Sequence, residues 1–219
     1  MNAPAETLPD LVCIHADEAL LVLDKPAGML SVPGRVPARQ DCAAHRAQAR
    51  WADALVVHRL DMATSGLLLM ARGAAMQRLL GRAFETRAVR KTYVAVVSGH
   101  LADEAGTIDA PLKPDWPQRP RQMVCASGKP SLTHWRVLER GHDAQGRPWS
   151  RLQLQPITGR SHQLRVHLLH IGHPILGDTL YADAETAARS ARLLLHATTL
   201  ALTHPLHGQP CSWHSPPPF

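Results

Sequence analysis

Short apolar runs succeed one another along this chain with few helix-length stretches between them, and that order limits the fold more than any single residue does. Leu11 to His15 and Leu20 to Asp24 flank Asp17-Glu18 as a β-hairpin would, and lead into a Lys25-Pro26-Ala27-Gly28 loop. Leu55 to His58 and Leu67 to Ala71 read as strands. Between them a turn-rich stretch holds Asp61 and Thr64-Ser65-Gly66, which places Asp61 on a loop. In Lys91 to Ser98, Thr92, Val94 and Val96 share one face and Tyr93, Ala95 and Val97 the other, so Tyr93 lies on a sheet surface. Met123 to Ala126, Ser131 to Glu139, Trp149 to Gln155 and Leu193 to Thr203 add further strands, with 99–122 reading as loop-rich.

Helical spacing is confined to a few places. Cys42 to Trp51 has helical composition, and Met76, Leu79, Leu80, Ala83 and Phe84 predict an amphipathic helix over 74–87. Leu164, Leu168 and Ile171 predict another over 161–171, stopped by Gly172. Strands therefore outnumber helices and mostly follow one another. The expected fold is α+β, with a mixed, largely antiparallel central sheet and flanking helices.

A chain of 219 residues with 45% hydrophobic content buries a core as one domain, expected to span 1–219 with flexible tails at 1–10 and 215–219. The longest clean apolar run, Leu67 to Ala71, is far short of the roughly 18 residues of a membrane span. The first ten residues hold acids and prolines, unlike a secretory leader. Cys13, Cys42, Cys125 and Cys211 stand apart with no C-x-x-C pair, which suits free thiols in a reducing cytosol. The expected location is the cytoplasm.

The net charge of +6 is unevenly spread. Residues 72–91 carry net +5 and residues 113–165 net +7, leaving the rest of the chain at −6. Such segregation makes a basic face, for which a phosphate backbone is a common partner and a solvated charge run the plain alternative. The histidines at 162, 167, 170, 173, 196 and 204 lack an H-E-x-x-H pattern or an acidic cluster and read as structural. Gly128-Lys129-Pro130-Ser131 is a turn, since Met123 stands where a phosphate loop needs its first glycine.

Two clusters concentrate chemistry. His58-Arg59-Leu60-Asp61 with Thr64-Ser65-Gly66 sets a carboxylate among basic neighbours, although an aspartate in a turn also serves as a simple Asx motif. Gly159-Arg160-Ser161-His162-Gln163-Leu164-Arg165-Val166-His167 places Arg165 where, if buried, it needs an acid partner. These two segments, with Lys91-Thr92-Tyr93 and the Lys25 to Gly28 loop, resemble in order and spacing the motif set of the RluA-type pseudouridine synthases. The resemblance runs from about Leu11 to Pro216. At Leu30 to Arg35 and Asp115 to Pro120 it extends to the family's dual-specificity branch.

The resemblance implies an isomerase that cleaves the bond between uracil N1 and ribose C1′, turns the base and rejoins it through C5. It implies no metal and no cofactor. Asp61 is then the essential carboxylate, either a nucleophile or the base that takes the ribose C2′ proton. Arg165 pairs with Asp61, and Tyr93 stacks on a uracil flipped out of the RNA. Arg59 fills the space the base leaves, while His58, Thr64, Lys91, Arg119 and Arg160 are expected to contact RNA. The implied partners are stem-loops of 23S rRNA and tRNA, including the anticodon arm. The enzyme is expected to be a monomer with a basic active-site cleft, no obligate protein partner and no S4 domain. A noncatalytic RNA-binding module would share the basic face, but it would have no need of Asp61, Tyr93 and Arg165 together.

Overall fold

In the computed structural model, which describes residues 10–36 and 40–219, these residues build a ten-stranded mixed sheet, a separate two-stranded sheet and four helices. Of the expected tail at 1–10, residues 1–9 lie outside the described residues. In chain order the elements are β1 (Val12–Ala16), β2 (Leu20–Lys25), α1 (Ala43–Arg50), β3 (Ala54–Val56), β4 (Ser65–Arg72), α2 (Gly73–Glu85) and β5 (Arg90–Ser98). Then come β6 (Ala105–Asp109), β7 (Leu112–Pro114), β8 (Gln122–Val124), β9 (Leu132–His142) and β10 (Pro148–Pro156). The chain closes with α3 (Gln163–His170), α4 (Ala184–Ala188), β11 (Leu195–Thr203) and β12 (Pro210–His214). No helix among the described residues is long and apolar enough to cross a membrane.

The large sheet runs β1-β2-β4-β11-β5-β10-β9-β6, with β3 also on β4 and β12 also on β11. Every pairing in it is antiparallel except β4 with β11. Both faces are covered, so the central strands are apolar on alternate and intervening residues alike. Leu20, Val22, Leu67 and Leu69 pack against Leu80 of α2 on one face. Leu21, Leu23 and Met70 meet Ala44 and Ala47 of α1 on the other. Tyr93 leans on a cluster holding Leu164 and Leu168 of α3, and also on one holding Ala43 of α1. The face of α1 and α3 is therefore the one that carries Tyr93.

One backbone contact fixes the centre of the sheet. Ala197 of β11 pairs with Gly66 on one side and Tyr93 on the other. A Cβ on Gly66 would stand 2.4 Å from the Ala197 carbonyl oxygen, and its φ of +107° is open to glycine and strained for other residues. Thr64-Ser65-Gly66 is thus the entry into a strand pressed against its neighbour.

Several expectations need correction. The 99–122 stretch carries β6, a full edge strand on β9, and β7. β6 buries only Ile108 among its five residues, so it has no apolar run to announce it. β3 ends at Val56, short of His58, and α4 and β12 were not anticipated. The C-terminal 215–219 stretch is held by contacts, unlike a free tail. Ser215 is buried and bonded to Asp24 and His196, while the Phe219 carbonyl accepts from Arg151.

Candidate active site

Asp61 sits in the turn between β3 and β4, and Lys25 at the end of β2, with Gly28 and Ser31 after it, holds that turn. Ser31 Oγ donates to the Leu60 carbonyl at 2.7 Å and accepts the Leu60 amide at 3.0 Å. The Gly28 amide donates to the Met62 carbonyl at 2.8 Å. Lys25 is fully buried, and its Nζ donates to the carbonyls of Pro26, Met29 and Met62. Burial pulls the Lys25 ammonium down to about 7, with the Asp61 charge drawing it back up and Arg192 pushing it lower. Residues on both sides of Asp61 are therefore pinned, and its carboxylate projects from a rigid turn.

Arg165 and Tyr93 close on that carboxylate. Arg165 Nη1 lies 3.6 Å from Asp61 Oδ2. The tighter partner of Arg165 is Asp178, which receives Nε at 2.8 Å and Nη2 at 2.6 Å in a fork geometry. Side-chain exposure is 7% for Arg165 and 1% for Asp178 but 27% for Asp61. The guanidinium is thus seated from behind by one acid and offers its remaining edge to a second that meets solvent. Burial pushes the Tyr93 hydroxyl well above its ordinary range, and the nearby Asp61 charge adds to the shift.

The anchor at Asp178 was not visible in the sequence. It follows Gly177, where an added Cβ would overlap the Arg192 carbonyl at 1.9 Å. Asp178 Oδ1 also accepts the amides of Leu180 and Tyr181, so the loop after α3 folds around the carboxylate that grips Arg165. His162 and Tyr181 are further neighbours. His162 Nε2 is 3.9 Å from Asp61 Oδ1, and its Nδ1 is 2.6 Å from the Tyr181 hydroxyl.

The expected RNA contacts divide. Arg59 and Arg160 are exposed, one two residues before Asp61 and the other at the approach to α3. Arg119 is exposed at the tip of the β7–β8 hairpin, its guanidinium 3.1 Å from the ring centre of Trp116. Lys91 is half-buried, its amine 5.9 Å from the Phe84 ring centre and beside Gly159. His58 is a correction. Its Nε2 accepts the Leu69 amide at 2.9 Å, its ring stacks on Phe84, and burial holds it down to about 3. Thr64 is also a correction, since its side chain is buried where the turn enters β4. The Thr64 side chain is buried in the fold, and the Nε2 edge of His58 is spent on a backbone amide. Among the described residues no three His, Cys, Asp or Glu side chains group as a metal site.

Asp61 is thus presented on a pinned turn, backed by a buried arginine and a tyrosine and bordered by exposed arginines of the kind that contact RNA phosphates. The chain belongs to the RNA pseudouridylate synthase family, whose model matches residues 19–170. It is 49% identical over 201 residues to the dual-specificity RNA pseudouridine synthase RluA of Yersinia pestis, covering 91% of this chain and 96% of that protein. To the protein of the same name from Escherichia coli K12 it is 47% identical, over 100% of this chain and 97% of the relative. Among solved structures, human RNA pseudouridylate synthase domain containing 1 superposes with a TM-score of 0.81 at 31% identity, over 96% of this chain and 84% of that one. Human RNA pseudouridylate synthase domain containing 4 gives 0.73 at 26% identity, over 94% and 88%. The protein is accordingly an isomerase that converts uridine in RNA to pseudouridine.

Proposed function

We propose that Asp61 is the essential carboxylate of this isomerisation, that Tyr93 stacks on the flipped uracil, and that Arg165 pairs with Asp61 and aims it. The carrying observation is the convergence of a solvent-reaching Asp61 with a buried Arg165 at 3.6 Å. The reaction balances within the nucleotide. The C1′–N1 bond breaks, a C1′–C5 bond forms, N1 gains a proton and C5 loses one, so no metal, redox partner or external energy source is needed. Asp61 acts as nucleophile or as the base at C2′. Arg59 enters the gap left by the base, and Arg119, Arg160 and Lys91 hold flanking phosphates.

The substrates we infer are stem-loops of 23S rRNA and tRNA, a reading supported by the dual-specificity relatives that match nearly end to end. We further infer a cytoplasmic monomer that acts without an obligate protein partner. The test is Asp61→Asn on a synthetic anticodon-arm hairpin. Turnover should vanish while hairpin affinity stays within about threefold of wild type, because the shape is kept and the reactive charge removed. Appreciable turnover by the purified variant rejects the assignment. Equal modification of the same sequence with its stem unpaired rejects the stem-loop reading.

A further inference from the structure

His162 and Tyr181 stand beside Asp61 without a part in the chemistry above. Among the described residues the Tyr181 hydroxyl has two hydrogen-bond neighbours, the Gln122 amide at 2.8 Å and His162 Nδ1 at 2.6 Å. The amide only donates, so the phenol oxygen accepts from it, and the arrangement that also uses the phenol proton sends that proton to Nδ1. A neutral ring that accepts at Nδ1 carries its hydrogen on Nε2. That nitrogen lies 3.9 Å from Asp61 Oδ1, so a movement of about 1 Å brings the two within hydrogen-bond distance.

The backbone points the same way. His162 has φ 54°, the left-handed region that residues with a Cβ rarely adopt, at the position preceding α3. Its side chain caps no helix amide. The conformation instead swings the imidazole between Tyr181 and Asp61, and unusual backbone of this kind gathers at functional sites. Burial disfavours the charged ring, which is consistent with the neutral form.

We propose that His162 is a positioning residue for Asp61, locked in one tautomer by Tyr181 so that Nε2–H takes Oδ1 while Arg165 takes Oδ2. The carboxylate is then fixed about its terminal torsion when the nucleotide arrives. This rests on the reading of Asp61 as the reacting carboxylate. Replacing His162 with Asn and with Gln separates the role from mere packing. Asparagine suits left-handed backbone, but its amide nitrogen falls near the place of Nδ1, short of Asp61. Glutamine reaches the place of Nε2.

The experiment measures melting temperature, kcat and KM of the full-length enzyme on an RNA hairpin. His162→Asn should melt no lower than wild type, keep KM within about twofold and lose roughly tenfold in kcat, on the scale of one lost hydrogen bond. His162→Gln should recover most of that kcat. Tyr181→Phe, which keeps the ring but frees the tautomer, should lower kcat with KM unchanged. Wild-type kcat in His162→Asn overturns the proposal, as does a kcat loss in both His162 variants that tracks a lowered melting temperature. Asp61→Asn is run alongside. Activity there rejects the reading of Asp61 itself, whereas an inactive Asp61→Asn beside an unaffected His162→Asn rejects only the positioning role.

Discussion

Replacing Asp178 with Asn should cost this enzyme both stability and rate, although Asp178 does not touch substrate. Its carboxylate is 1% exposed and accepts four hydrogen bonds, two from Arg165 and one each from the amides of Leu180 and Tyr181. An asparagine oxygen in place of Oδ1 still serves both amides. Its nitrogen, in place of Oδ2, meets Arg165 Nε, donor against donor, and the guanidinium loses its balancing charge. Breaking a buried pair from one side costs about 3–5 kcal/mol. At roughly 2–4 °C per kcal/mol for a chain of this size, the melting temperature should fall by about 6–20 °C. Arg165 then loses the fork that aims it at Asp61, and a misplaced electrostatic partner costs on the order of 100-fold in kcat. Calorimetry reads the first effect, and release of tritium from C5-labelled uridine in an RNA hairpin reads the second. Adding Arg165→Met to Asp178→Asn removes the orphaned cation, so melting should recover in part while activity stays lost. A single variant melting within about 2 °C of wild type, or a double variant no more stable than the single, would refute this account of the pair.

Other outcomes follow from the same geometry. Gly66→Ala should give little soluble protein, because its Cβ must displace the Ala197 carbonyl at the centre of the sheet; wild-type yield and melting temperature would contradict that. Tyr93→Phe should bind the hairpin as tightly as wild type yet release little tritium if the hydroxyl takes part in removing the C5 proton. Since burial keeps that hydroxyl protonated, the wild-type rate should show no rising limb from tyrosine ionisation between pH 8 and 10. His58, His162, His167 and His196 are all depressed chiefly by burial. The unfolded chain takes up protons below about pH 6.5 that these folded rings refuse, so the melting temperature should decline as pH falls from 7 to 5. A flat profile there would oppose it.

Legibility in the sequence tracked how local each interaction is. The first hairpin, α2 and the face of Tyr93 are written in spacing alone, and Asp61 falls on its loop because turn residues follow it directly. Arg165 was legible as a side chain needing an acid, but the acid was not. Asp178 is 13 positions away, past a helix end and a glycine, and no periodicity relates the two. His58 and Thr64 were assigned to RNA from their motif, whereas one spends its Nε2 on a backbone amide of β4 and the other is buried. Which partner a polar side chain meets is decided by the sheet's register, which spacing along one segment does not contain.

The place of β11 in the sheet bears on when during synthesis the enzyme can first act. Ala197 is the residue that joins the strand following Asp61 to the strand carrying Tyr93, and it is made after nine-tenths of the chain. Until β11 leaves the ribosome, the strand that lies between β4 and β5 in the sheet is missing, and the backbone pairing that joins the two halves of the site cannot form. Closure of such distant contacts is slow and comes late. A nascent chain stalled before Leu195 should therefore carry Asp61, Tyr93 and Arg165 and still be unable to modify the RNA around it.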